Sequence, residues 1–310
     1  MFQSTLRPNP ELLYRRDDVN DRRLGEIVQI SPDTYTNAAI VLLGCPQDEG
    51  VKRNKGRVGA DRAPDEIRRC LYRMAAPDEF AGKLFDLGNT VLGPTLEETH
   101  ATQRELVRQV ISDGKQLIVL GGGNDIAYPD CAGLALASKD LLAFNIDAHF
   151  DVRADLPYNS GTPYRQLLEE GLITPAAFYE MGNVPFGNSP VYRRYLQEKG
   201  AHIYDYAELQ QAGVGDLFRT ILHQATCSSI FWGFDLDVVR AADAPGVSAP
   251  NPVGLTGGEL CEIAAIAGAD ARTRLVEFVE VNPLYDIDQR TCRLTAAAMY
   301  YFLLSALKVK

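Results

Sequence analysis

The feature that most constrains the fold is a set of short segments that are apolar almost without interruption. They cover residues 38–45, 116–120, 141–146, 176–181, 230–236 and 275–281. A strand with one face in water alternates apolar and polar side chains, whereas a strand covered on both faces does not need to. These segments therefore predict buried strands of a largely parallel sheet.

Helical patterns lie between these segments, over residues 61–74, 95–112, 256–266 and 294–307. The first of them places Pro64 and two acids in its opening turn, which is typical of a helix start. The regular alternation of strands and helices predicts one α/β domain over residues 1–310, with an irregular N-terminal arm at about residues 1–35.

Charge and hydropathy exclude two classes of partner. The net charge is −10, from 31 basic and 41 acidic residues, and nucleic acid binding requires a basic surface. No apolar run reaches the roughly 20 residues that a membrane helix needs, and the N-terminus lacks the apolar core of a signal peptide. We therefore expect a cytoplasmic protein.

The six cysteines of the chain form no CxxC pair, which favours reduced thiols over zinc or disulfide roles.

Metal-type ligands are concentrated where predicted strands end. The segment 145–153 reads NIDAHFDVR and contains Asp147, His149 and Asp151, while FDLD contains Asp235 and Asp237. If a strand continues through such positions, alternate side chains leave the same face. Long irregular stretches follow three strands, at residues 48–62, 153–163 and 240–255, where ligands bind in parallel sheets.

Several carboxylates at the edge of an apolar sheet would repel one another strongly, because carboxylates are rarely buried without a partner. Divalent cations would remove that repulsion. Oxygen ligands with one imidazole suit a metal such as manganese. The plainer alternative is a set of solvated loop acids, which the direct continuation of apolar strands disfavours.

The motifs DAHFD, FDLD and EVNP resemble the binuclear metal motifs of the arginase (ureohydrolase) superfamily, and the similarity extends from about residue 40 to the C-terminus. The resemblance implies a three-layer α/β/α fold with a mostly parallel central sheet of about eight strands. It also implies a homo-oligomer, trimeric or hexameric.

The same resemblance implies a ligand set for two Mn²⁺ ions. Asp147 and Asp235 would bridge the ions, His149 and Asp237 would complete one site, and Asp151 would serve the other. That second ion also takes a histidine in the family, but this chain has Asn124 there. An amide oxygen is a neutral ligand, so we expect a weakened second site.

The residues that follow DAHFD are similar to those of formimidoylglutamases. Arg153 presents a fork suited to a carboxylate, and SGTPYRQ contains Ser160 and Tyr164 as further substrate contacts. Arg53 or Arg57 would be a second anion contact, although salt bridges that tether their loop are an equal alternative. Glu280, in EVNP, would pair with a cationic amidine.

The resemblance thus implies hydrolysis of N-formimidoyl-L-glutamate to L-glutamate and formamide. A hydroxide shared by two metals would attack the C=N carbon, and Asp151 or Asp237 would pass a proton to the leaving nitrogen. Two alternatives stay open. One is a ureohydrolase that acts on a guanidino compound such as agmatine or guanidinobutyrate and releases urea; the other is a non-catalytic homologue with a defective metal site, for which Asn124 is the only support.

Overall fold

The computed structural model describes residues 1–308, and its centre is one nine-stranded sheet with the order β1-β3-β2-β4-β9-β8-β5-β6-β7. Only the pairing of β1 with β3 is antiparallel. The strands are β1 Thr5–Leu6, β2 Ile40–Gly44, β3 Leu84–Thr90, β4 Gln116–Leu120, β5 Leu141–Ile146, β6 Phe178–Asn183, β7 His202–Asp205, β8 Ser229–Asp235 and β9 Thr273–Val279. The predicted mostly parallel sheet is confirmed.

Eleven α-helices connect the strands within residues 1–308. They are α1 Leu24–Ile27, α2 Glu49–Arg53, α3 Ala63–Leu71, α4 Leu96–Ser112, α5 Ala127–Ala137, α6 Pro163–Glu169, α7 Pro190–Lys199, α8 Tyr206–Ala212, α9 Val214–Gln224, α10 Gly257–Ala269 and α11 Arg290–Lys308. None of the helices in this part of the chain is long and apolar enough to cross a membrane.

Both faces of the sheet are covered, which explains the continuous apolar runs. In β2, Ile40 and Leu42 belong to one buried cluster, while Val41 and Leu43 belong to the other. Helices α3, α9, α10 and α11 pack on the first face, and α4, α5 and α6 pack on the second. The molecule therefore has the three layers that were expected.

The sequence did not predict three of the strands. The short edge strands β1 and β7 and the internal strand β3 join the six predicted segments and make nine, where the resemblance implied about eight. Strand β1 lies in the N-terminal arm expected to be irregular, and that arm also contains α1 and the buried side chains of Leu12 and Leu24. The arm is therefore packed onto the domain.

Candidate metal centre and substrate cavity

The candidate metal ligands and Glu280 lie at the carboxyl ends of four neighbouring strands, β5, β8, β9 and β4. Asp147 directly follows β5, and Asp235 is the last residue of β8. Glu280 follows β9, and Asn124 begins the 3₁₀ turn after β4. Because parallel strands end at one edge of the sheet, segments far apart in sequence supply one site.

Strand β5 does not continue through Asp151, so the condition for these side chains to leave one face of a strand is not met. Strand β5 ends at Ile146, and the backbone of Asp151 has a left-handed φ of 46°. Asp237 lies in a 3₁₀ turn that follows β8, and Glu280 has a left-handed φ of 62°. Such conformations are uncommon outside glycine and are concentrated at functional sites. Tight turns, rather than a period of two, bring these side chains together.

The side chains form two overlapping groups of possible ligands. Asp147, His149 and Asp237 have ligand atoms within 4.8 Å of one another, and so do Asp147, Asp151 and Asp235. The Nδ1 atom of His149 lies 3.0 Å from Oδ2 of Asp237. Asp147 belongs to both groups, so its carboxylate can be shared by two cations.

Without a cation, these groups are electrostatically unfavourable. Burial, followed by repulsion from neighbouring carboxylates, raises the pKa of Asp147 and of Asp235 well above the usual range. Burial also raises the pKa of Asp151 to about 6. The charge of Asp237, ahead of the other causes, raises the pKa of His149 to about 12. Divalent cations would compensate the buried charge, so this donor set fits a pair of them.

Asn124 is compatible with either a ligand or a supporting role. Its Nδ2 donates to Oδ2 of Asp151 at 2.7 Å and to Oδ2 of Asp147 at 3.2 Å. Its Oδ1 is buried and has no hydrogen-bond partner in the described part of the chain, and the same holds for Oδ1 of Asp237. Rotating the Asn124 amide would turn an oxygen towards the carboxylates. These two buried oxygens without a hydrogen-bond partner therefore fit a site that binds a cation.

A cavity of about 410 Å³ opens onto the ligands. Three of the predicted substrate contacts, Arg153, Ser160 and Glu280, line it. The side chain of Arg153 lies against Gly161, where an added Cβ would come within 2.6 Å of its Cδ. The hydroxyl of Ser160 accepts a hydrogen bond from Nδ2 of Asn54 at 3.0 Å. Oε1 of Glu280 accepts a 2.9 Å bond from the backbone N–H of Asn124.

Two predicted substrate contacts do not reach this cavity. Tyr164 is fully buried and stacks on Phe178, with its hydroxyl against Gly233. Arg53 donates to Oε1 of Glu97 at 2.6 Å and is part of a salt bridge that tethers its loop. For Arg53 the structure thus shows a salt bridge of the kind that the sequence left as the alternative to a substrate contact.

Asp125, the acid next to Asn124, turns away from the ligands. Its Oδ2 lies 2.7 Å from Nε2 of His100 and accepts a 2.7 Å bond from Nε2 of Gln47. His100 is therefore structural. All six cysteines are free, which agrees with the prediction of reduced thiols.

Sequence reasoning missed other residues that line the cavity. They are Asn54, Lys55, Asn188, Ser189 and Tyr192. The last three follow β6, a strand that the sequence had predicted, so the rule that ligands bind beyond strand ends could have indicated them. Lys55 lies in the irregular stretch 48–62, in which the sequence analysis indicated Arg53 and Arg57 but not this lysine.

Comparisons with known proteins agree with this architecture and site. A formimidoylglutamase of Rhodococcus opacus is 33% identical, over 96% of this chain and 95% of its own. One from Staphylococcus aureus (strain bovine RF122 / ET3-1) is 34% identical over 86% of both chains.

Among solved structures, the formiminoglutamase of Trypanosoma cruzi with Mn²⁺₂ matches with a TM-score of 0.88 at 30% identity, covering 94% of this chain and all of that one. A further structure of that enzyme, also with Mn²⁺₂, is of a variant in which a histidine replaces an asparagine. The proclavaminate amidino hydrolase of Streptomyces clavuligerus matches with a TM-score of 0.77 at 25% identity, over 88% and 93% of the chains. The model of the arginase family matches residues 38–305, and this chain therefore belongs to the arginase family.

Proposed function

We propose that this protein hydrolyses N-formimidoyl-L-glutamate to L-glutamate and formamide with two bound Mn²⁺ ions. The observation that carries the proposal is the charge pattern of one cavity. Its floor contains the carboxylates of Asp151, Asp235, Asp237 and Glu280, and the guanidinium of Arg153 lines the same space. A substrate with an amidine at one end and a carboxylate at the other matches both charges.

The named relatives support the same substrate. The relatives from Rhodococcus opacus, Staphylococcus aureus and Trypanosoma cruzi are formimidoylglutamases or formiminoglutamases and match between 86% and 96% of this chain, and the structure of the Trypanosoma cruzi enzyme contains Mn²⁺₂. Arginases act on arginine, whose carboxylate lies far from the reacting guanidinium, whereas N-formimidoyl-L-glutamate has a carboxylate next to its amidine that an arginine can bind. Arg153 therefore favours an acidic amidine over arginine itself.

We assign the two Mn²⁺ ions to the two overlapping ligand groups. One is Asp147, His149 and Asp237; the other is Asp147, Asp151 and Asp235, with Asn124 beside it. When bound, such a pair of cations supplies Lewis-acid activation of water and of the amidine carbon. Asn124 offers a neutral amide where a charged or imidazole ligand would bind more tightly, so we expect two unequal Mn²⁺ affinities.

The residues of the chain orient the substrate and move the proton. The carboxylate of Glu280 is held by the Asn124 backbone N–H and would pair with the cationic amidine. Water adds to the formimidoyl carbon, and the C–N bond to the glutamate nitrogen breaks. We propose that Asp237 or Asp151 carries a proton from the water to that leaving nitrogen.

The central experiment loads the purified protein with Mn²⁺, measures metal content by elemental analysis and follows formamide and urea release on N-formimidoyl-L-glutamate and a guanidino panel. We expect two metals per chain and formamide release. If the protein instead released only urea, from a guanidino compound, it would be another kind of ureohydrolase and the proposed substrate would be wrong. One metal or none, with no turnover on any amidine, would leave the non-catalytic alternative that Asn124 raises.

Two isosteric variants separate metal binding from substrate binding. Asp235→Asn removes a charge from the ligand group, so Mn²⁺ affinity should fall about a hundredfold or more. Glu280→Gln keeps the oxygen that Asn124 N–H binds, so it should retain both metals while kcat/KM falls about ten- to a hundredfold. Asp216→Asn, at a side chain 82% exposed, is the control and should change neither. Equal metal loss in the first two variants would contradict these roles.

We also propose that the protein is cytoplasmic, that it supplies glutamate from a breakdown product of histidine, and that it forms a homo-oligomer, a trimer or a hexamer. The resemblance to the superfamily supports these statements. Light scattering coupled to size-exclusion chromatography measures the mass, and a monomer of 34.1 kDa would contradict the last of them.

A further inference from the structure

The cations around the cavity divide into two kinds. Arg53 is paired with Glu97, as described above. The guanidinium of Arg57 donates to the backbone carbonyls of Ser248, at 3.0 Å, and Val247, and it stacks 4.3 Å over the ring of Tyr285. These arginines hold loops in place and have little capacity left for a ligand.

Lys55 and Arg153 are different. Both line the cavity and are exposed. Within residues 1–308, neither side chain makes a hydrogen bond or a salt bridge, whereas Lys52, one turn earlier, pairs with Glu49. The cavity thus offers two cations without a protein partner, and the proposed substrate has two carboxylates.

The backbone of Lys55 is held in an unfavourable conformation. Its φ is 62°, in the left-handed region that glycine and asparagine adopt more readily than lysine. Its N–H donates to the carbonyl of Lys52 at 3.0 Å, and Gly56 N–H donates to Val51 at 2.8 Å. A Cβ on Gly56 would come within 2.5 Å of Oγ of Ser248. The conformation of the turn is therefore fixed. It holds a lysine at a position where glycine or asparagine would cause less backbone strain.

The neighbours of Lys55 connect it to both sides of the cavity. Asn54 donates to Ser160, in the loop that follows Arg153. Arg57 N–H donates to Oγ of Ser248, in the loop that follows β8, at 2.9 Å. The turn that carries Lys55 therefore lies between these two loops. Arg153 follows Asp151 by two residues and lines the same cavity.

From this geometry we infer that Lys55 binds the carboxylate of the substrate farther from the amidine, while Arg153 binds the carboxylate next to it. The inference rests on the proposed function and deepens it. It makes Lys55 a residue that selects dicarboxylate amidines over monocarboxylate ones. Chemically, an ammonium group on a flexible stem suits the carboxylate on the mobile side chain of the substrate, and the rigid guanidinium suits the one fixed beside the reacting nitrogen.

The first test is Lys55→Asn, because asparagine is neutral and tolerates the left-handed turn. We expect KM for N-formimidoyl-L-glutamate to rise about tenfold, with kcat within about twofold, because the lost contact is remote from the reacting atoms. The melting temperature should stay the same or rise, because strain is relieved. Lys52→Gln removes a charge from helix α2, just before this turn and outside the cavity, and should change no parameter.

The second test uses substrates that lack one charge. Wild type should discriminate against N-formimidoyl-L-glutamine, which has the side-chain amide, and against N-formimidoyl-L-isoglutamine, which has the α-amide. Lys55→Asn should lose only the first discrimination, and Arg153→Gln only the second. Unchanged discrimination in Lys55→Asn, with an active wild type, would overturn the inference. An inactive wild type would instead overturn the proposed function.

Discussion

Asp130 is a carboxyl group that the fold buries completely on α5. Its Oδ1 accepts a 2.7 Å bond from Nε2 of Gln103, and it lies against Glu277 on β9. Burial raises the pKa of Asp130 from 3.8 to about 7, and burial together with Asp130 raises the pKa of Glu277 well above its usual value. Ionising this pair inside the protein therefore costs stability.

The sign of the pH effect follows from these shifts. A carboxyl group with a raised pKa binds more protons in the folded state than in the unfolded state between about pH 4 and pH 7. Its contribution to stability is therefore lost as the pH rises through that window. Asp130→Asn can still accept from Gln103 and can donate to Glu277. We expect this variant to gain in melting temperature relative to wild type, and to gain more at pH 8 than at pH 5.

Thermal unfolding at a series of pH values measures this difference. Asp216→Asn, at an exposed side chain, provides the matched control and should show no such trend. If Asp130→Asn raised the melting temperature equally at pH 5 and pH 8, burial would not be raising the pKa of Asp130.

Individual side chains also show where sequence reasoning reaches its limit. Asp147 and Asp235 could be identified because they lie at the ends of apolar strands. The residue type and its position along the chain are enough to recognise such a candidate ligand. Tyr164 could not be placed, because its burial depends on the absence of a side chain at Gly233 on another strand. Arg53 could not be placed either, since Glu97, its partner, is 44 residues away. Side chains whose neighbours come from distant segments need the fold.

Among the larger elements, the two helices α10 and α11 approach one another closely at Gly268. A Cβ built there would lie 2.3 Å from the carbonyl oxygen of Phe302 and 3.1 Å from the N of Ala306, both backbone atoms of α11. Backbone cannot move aside as a flexible side chain can. We expect Gly268→Ala to push the helices apart and to lower the free energy of unfolding by about 1–3 kcal/mol.

Gly258 offers a control in the same helix. It is exposed in the first turn of α10, and a Cβ there would meet only Oγ1 of Thr256, at 3.8 Å. Gly258→Ala should raise the free energy of unfolding by about 0.5–1 kcal/mol, because alanine loses less backbone entropy on folding. Chemical denaturation of both variants measures the opposite signs; two losses of equal size would show that the close helix contact is not the cause.

Strands were predicted correctly where apolar residues run without interruption, and β3 was missed because polar residues interrupt its sequence. Strand β4 was predicted to the residue, because four of its five side chains are apolar and follow one another without interruption. Strand β3 reads LFDLGNT, and its Asp86 is compensated by Arg68 of α3 at 2.8 Å, with both side chains fully buried. A polar residue in a central strand is compatible with burial only if such a partner exists, and the partner is not visible in the strand's own sequence.

For the molecule as a whole, the metal centre should contribute to stability. Ligands from the ends of β5 and β8 converge on the site, so a cation bound there crosslinks neighbouring segments of the sheet edge. A ligand that binds only the folded state stabilises it by mass action, by about 2.7 kcal/mol per site at a free concentration a hundredfold above Kd. We expect Mn²⁺ to raise the melting temperature of chelator-treated protein by several degrees, in a concentration-dependent way.

This stabilisation should depend on pH with a definite sign. Because the pKa values of Asp147 and Asp235 are raised without a cation, Mn²⁺ must displace protons in order to bind, and its affinity rises with pH. The increase in melting temperature at a fixed Mn²⁺ concentration should therefore be larger at pH 8 than at pH 6. Asp235→Asn, which keeps the shape of the side chain, should unfold normally but respond weakly to Mn²⁺. If wild type and this variant responded equally, Mn²⁺ would be stabilising the protein from some other site.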